Sequence, residues 1–78
     1  MKIEVIGSGC AKCKQLYERV MRIVDENTIE AEISYLPDTN ELIERGILGS
    51  PALVVDDEVV LIGTLASDGE LLRLITKR

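Results

Sequence analysis

The chain has 78 residues, which is room for one hydrophobic core and so for a single domain over 1–78. With 46% hydrophobic and 29% charged residues it has the composition of a folded globular chain, and with no Trp, no Phe and two Tyr its core must be aliphatic. The net charge of −5 argues against a nucleic-acid partner, which needs a basic face, and no apolar run approaches the roughly 18 residues of a membrane span.

The first element is a strand over "KIEVI" (2–6), apolar at Ile3, Val5 and Ile6 and rich in β-branched residues. A glycine-rich turn, "GSG", leads to Cys10. From Cys13 the apolar residues fall at Leu16, Tyr17, Val20, Ile23 and Val24, one face of a helix that stops near Asn27, a residue able to adopt a left-handed cap. "IEAEISYL" (29–36) alternates and predicts a half-exposed edge strand, ended by Pro37. Asp38 and Glu41 have capping-box spacing and open a short helix that Gly46 closes. "ALVV" (52–55) and "EVVLIG" (58–63) flank Asp56-Asp57 as a β-hairpin. Ser67 and Glu70 predict a second capping box for a last helix over 67–77, with Lys77 and Arg78 placed favourably at its C-terminal end. The order is β-α-β-α-β-β-α. A right-handed crossover makes the first two strands parallel neighbours and puts the first strand between the second and third, in a four-stranded mixed sheet with three helices.

All the sulfur chemistry apart from two methionines lies in Cys10 and Cys13, at the hand-over from first strand to first helix, and the chain has no histidine. Three readings compete for such a pair: a redox dithiol, half of a metal site, or two small buried residues. Without a signal peptide the cytoplasm is the expected compartment, where close cysteines are catalytic or metal-binding more often than structural. Gly7 and Gly9 allow the tight turn and leave the approach to Cys10 open. Near a helix N-terminus the unpaired N–H groups and the dipole stabilise a thiolate, and Lys12 and Lys14 add positive charge. Cys13, one turn onward, continues the apolar face. This predicts an exposed nucleophile at Cys10 and a buried resolving thiol at Cys13, the asymmetry that disulfide exchange requires.

The CxxC at the first strand-to-helix turn, Ser50-Pro51 ahead of "ALVV", the hairpin and the closing helix together resemble the thioredoxin fold in its short, glutaredoxin-sized form, over essentially the whole chain. "GSGCAKC" with "SPALVVDD" is similar to small thioredoxin-like redox-active disulfide proteins. The resemblance implies an α/β thioredoxin-like domain and a protein disulfide oxidoreductase or electron carrier needing no cofactor. It implies that Pro51 is cis and faces the cysteines, and that the Ser50 backbone pairs with an extended substrate. It also implies a disulfide-containing protein or small molecule as substrate, and a disulfide reductase as donor, for a monomer. Between the cysteines stand Ala11 and Lys12, with Gly9 before them, where thioredoxins carry Gly-Pro and Trp and glutaredoxins Pro-Tyr.

Glu4 lies six residues before Cys10, the spacing of a buried carboxylate in thioredoxins that helps to move the resolving thiol's proton. A carboxylate beneath the pair can serve as general base through a water, while the bland reading is a solvent-facing residue alternating with Ile3 and Val5. Lys12 either tunes the thiolate or is a solvated helix-start residue, and Tyr17 either shields Cys13 or is core. The acidic residues Glu30, Glu32, Asp56, Asp57 and Glu58 lack calcium-loop spacing and predict a solvated face. The main rival is a soft-metal carrier using the CxxC for Cu(I) or zinc. The loop also resembles that of small copper chaperones, which run β-α-β-β-α-β and end in a strand. Zinc would need two further ligands, from a dimer.

Overall fold

A computed structural model describes every residue of the chain except Cys10, Thr64, Leu65, Lys77 and Arg78. The elements are β1 (Lys2–Ile6), α1 (Ala11–Glu26), β2 (Glu32–Leu36), α2 (Thr39–Glu44), β3 (Ala52–Val55), β4 (Glu58–Ile62) and α3 (Asp68–Thr76). They form one sheet in the order β2-β1-β3-β4. β1 runs parallel to β2, with Lys2 opposite Glu32 and Ile6 opposite Leu36, and antiparallel to β3, with Ile3 opposite Val55 and Ile6 opposite Ala52. The expected order and strand neighbours are those observed. The last described element is a helix, so the order is not that of the metal-carrier domains that close on a strand.

Alternation along the strands divides the core between the two faces of the sheet. Ile3 and Val5 turn to one face, where they pack with Leu16, Val20, Ile23 and Val24 of α1, Leu53 and Val55 of β3, and Leu71 and Ile75 of α3. Ile6 turns to the other face and meets Ala52, Val54, Leu42 of α2 and Ile47. With both faces covered, β1 is buried from Ile3 to Ile6.

Several element ends differ from expectation, each for a local reason. α1 begins at Ala11 and ends with Thr28, not Asn27, in the left-handed region (φ 52°). Ile29 N–H reaches Val24 O at 3.0 Å and Thr28 N–H reaches Asp25 O at 3.3 Å, while the Asn27 side chain donates to Ile23 O. That is a Schellman closure carried one residue further than the sequence predicts. α2 closes the same way with Gly46 at φ 70°. β2 starts at Glu32 instead of 29 because its only neighbour, β1, begins at Lys2.

Each capping box is half made. Asp38 accepts from the Asn40 N–H at 2.9 Å and Ser67 Oγ from the Glu70 N–H at 3.3 Å. The two glutamates instead turn to arginines, Glu41 to Arg45 at 3.2 Å and Glu70 to Arg73 at 3.9 Å. Asp56 and Asp57, at φ 50° and 68°, make a two-residue turn of the mirror-image type that suits the strand twist. Val60 is an extra residue in β4, a bulge between the pairs Leu53–Leu61 and Val54–Val59. The proposed favourable charges at Lys77 and Arg78 lie outside the described residues.

Candidate active site

The carboxyl ends of parallel β1 and β2 lie at one edge of the sheet, and the chain leaves β1 there through Gly7, Ser8 and Gly9. Gly7 N–H donates to Leu36 O at 3.1 Å, which pins the turn to the end of β2. Of the two glycines in this turn, Gly9 is the one that needs glycine's conformational freedom (φ 81°). Gly7 serves a different purpose. A Cβ on it would lie 2.2 Å from Cys13 Sγ and 3.0 Å from Ser50 Oγ, so the absent side chain is the space that the sulfur occupies.

Cys13, the third residue of α1, is fully buried at the start of its apolar stripe. Its Sγ lies 3.6 Å from Ser50 Oγ. Ser50 is half-buried, and the Ser50–Pro51 peptide bond is cis. Pro51 is buried at the head of β3, where its carbonyl accepts from Gly63 N–H at 2.8 Å. Residues 37 apart in sequence are thus brought together: the helix start, the glycine of the turn, and the serine before the proline. Lys12 is exposed on the first turn of α1, a turn that carries no acidic residue. Cys10, the expected nucleophile, lies outside the described residues.

Both aromatic residues of the chain stand at this edge. Tyr17, one turn beyond Cys13, stacks on Tyr35 of β2 with ring centroids 5.1 Å apart and planes inclined by 20°. The Tyr35 hydroxyl is buried and lies 4.0 Å from where a Cβ of Gly9 would stand. On the other side of the site Leu48, two residues before Ser50, is 98% exposed.

Glu4 is not solvent-facing. It is 3% exposed on β1, on the α2 side of the sheet with Ile6, and Arg45 holds it in a bidentate pair: Nη1 to Oε1 at 3.0 Å and Nη2 to Oε2 at 2.9 Å. The hydrogen-bonded guanidinium keeps the carboxyl below its ordinary range against the opposing effect of burial, and the Arg45 pKa is raised in return. α1 packs on the opposite face, so the sheet separates this carboxylate from the helix that carries Cys13. Strand alternation alone carries no signal for this, because Glu4 becomes a buried anion only once α2 covers its face and Arg45, the C-cap of α2, supplies the cation.

A family model described as "Thioredoxin domain" matches residues 1–76. A thioredoxin of Methanothermobacter thermautotrophicus is 33% identical over 76 residues, covering 97% of this chain and 99% of that one. Another, of Methanocaldococcus jannaschii, is 39% identical over 69 residues, covering 88% of this chain and 79% of the relative. Among solved structures, thioredoxin 1 of Thermosipho africanus superimposes with a TM-score of 0.63 at 17% identity, over 99% of this chain and 92% of that one; at such identity the likeness is one of fold.

Proposed function

The chain belongs to the thioredoxin family, and we propose that it exchanges electrons with disulfide substrates through Cys10 and Cys13. The observation that carries this reading is the seat of Cys13: a buried sulfur at the third residue of a helix, against the residue that precedes a cis proline. In the proposed cycle the Cys10 thiolate attacks a substrate disulfide, releases one substrate thiol and forms a mixed disulfide. Cys13 then attacks the Cys10 sulfur, closing the internal disulfide and releasing the second thiol. The substrate disulfide gains two electrons and the cysteine pair loses two, which a disulfide reductase restores.

The Ser50 backbone pairs with the extended substrate beside Pro51, and Lys12 with the first turn of α1 favours the thiolate form of Cys10. Glu4, with both oxygens engaged by Arg45, supports the sheet beneath the site and is given no proton-transfer step. Protein or small-molecule disulfides are the substrate class, the working unit is a monomeric single domain, and the compartment is the cytoplasm, where such pairs are kept in redox use. Among the described residues no helix is long and apolar enough to cross a membrane.

Trapping tests this directly. Cys13→Ser incubated with a disulfide peptide is expected to accumulate a reducible covalent adduct, whereas Cys10→Ser forms none. Equal alkylation rates for the two thiols at neutral pH would refute the division of roles. The reduction potential then fixes the direction of flow: about −270 mV marks a reductant and about −120 mV an oxidant.

A further inference from the structure

Closing the internal disulfide requires the Cys13 sulfur to give up its proton, yet that sulfur is wholly buried and has no direct contact with solvent. The nearby ionisable groups are badly placed to help. Glu4 faces the other side of the sheet and both its oxygens are held by Arg45, while Lys12 and Lys14 are exposed on the outer side of α1. A polar side chain that reaches the sulfur is Ser50, at 3.6 Å.

We propose that the Ser50 hydroxyl, apart from any backbone contact with substrate, carries the proton of Cys13 during resolution of the mixed disulfide. The proposal rests on the dithiol reading above. A hydroxyl suits the task because it both accepts and donates. In the resting thiol the Cys13 S–H donates to Ser50 Oγ. As the sulfur becomes nucleophilic, the hydroxyl turns and donates to it. The Cys13 proton passes by way of the half-buried Ser50 hydroxyl to water, the Cys10–Cys13 bond forms, and the bond between Cys10 and the substrate sulfur breaks with the substrate departing as its thiolate. Water takes the proton, the departing thiolate carries the electron pair of the broken bond, and no oxidant enters the balance. Gly7 keeps the two atoms in register, since any side chain there would displace the sulfur.

The experiment uses 5,5′-dithiobis(2-nitrobenzoate) as a small disulfide, whose first released chromophore reports attack by Cys10 and whose second reports resolution by Cys13. Stopped-flow traces give the ratio of second-phase to first-phase rate in one run. Ser50→Ala is expected to lower that ratio by about ten- to a hundredfold, the worth of a hydrogen bond to a charged atom. Ser50→Thr should hold the wild-type ratio and Ser50→Val, its match in shape, should not, so the result does not depend on the cavity left by alanine. A ratio unchanged in Ser50→Ala and Ser50→Val overturns the proposal, as does an equal loss in the Thr and Val variants. A wild-type protein that releases a single chromophore overturns the dithiol reading itself, and the proposal with it.

Discussion

Replacing Arg45 by Met removes both hydrogen bonds to Glu4 and leaves a carboxylate 3% exposed without its partner. Breaking a buried ion pair from one side costs about 3–5 kcal/mol. Because the Arg45 side chain is itself 30% exposed, the lower end, about 3 kcal/mol, applies. A chain of this length has a total stability of about 4–12 kcal/mol, so the variant should remain folded with much of its margin gone. An unfolding entropy of about 0.16 kcal/mol/K turns the loss into a fall in Tm of about 18 °C.

Circular dichroism melts between pH 7 and pH 4 check both size and sign. In the wild type the Glu4 pKa is lowered from its ordinary 4.5 by Arg45, so this group's contribution is complete above that value and is lost as the pH falls through the folded pKa. In Arg45→Met burial raises the Glu4 pKa, so acid relieves the strain and the gap in Tm narrows. The double variant Glu4→Leu/Arg45→Met should recover most of the loss. A Tm for Arg45→Met within about 4 °C of wild type at pH 7, or a gap that widens in acid, would refute the reasoning.

Gly7→Ala should cost about 1–3 kcal/mol through overpacking and, in a Cys10→Ser background, make the displaced Cys13 thiol alkylate faster by mass spectrometry. Asp57→Gly relieves a left-handed residue in the hairpin turn and should raise Tm by roughly 3 °C, while Asp56, which accepts from Lys2 N–H at 2.9 Å, is better left in place. In urea titrations Leu16→Ala, at a fully buried position, should cost about 2–5 kcal/mol. Arg22→Ala, which breaks an exposed pair with Asp68, should change stability by less than about 1 kcal/mol.

Local chemistry in the sequence carried most of the fold. The 3.6-residue stripe from Cys13 to Val24, the alternation of 29–36 and the apolar runs around Asp56-Asp57 each specify an element, and the crossover rule then orders the strands. What the sequence concealed was non-local. Glu4 reads as solvent-facing because it alternates with Ile3 and Val5, and only a sheet covered on both faces makes it a buried anion. Its partner stands 41 residues away. Gly7 reads as a turn former, whereas its function is steric and depends on the Cys13 sulfur that α1 brings against it. The glutamates of the two capping boxes were drawn off by arginines three and four residues on, a competition that spacing alone does not decide.

The unequal division of the core has a consequence for how the molecule breathes. On one face α1, α3 and all four strands contribute to a large apolar cluster; on the other, six-residue α2 contributes Leu42 as its buried residue beside Ile47, and Arg45 ties its end to β1. Cooperative opening of that thin leaf exposes little apolar surface, so it lies far below global unfolding in free energy. Amide hydrogens of α2 should therefore exchange well before those of β1 and β3. The segment from Gly46 to Ser50, which links this leaf to Pro51, can then loosen while the sheet beneath stays closed.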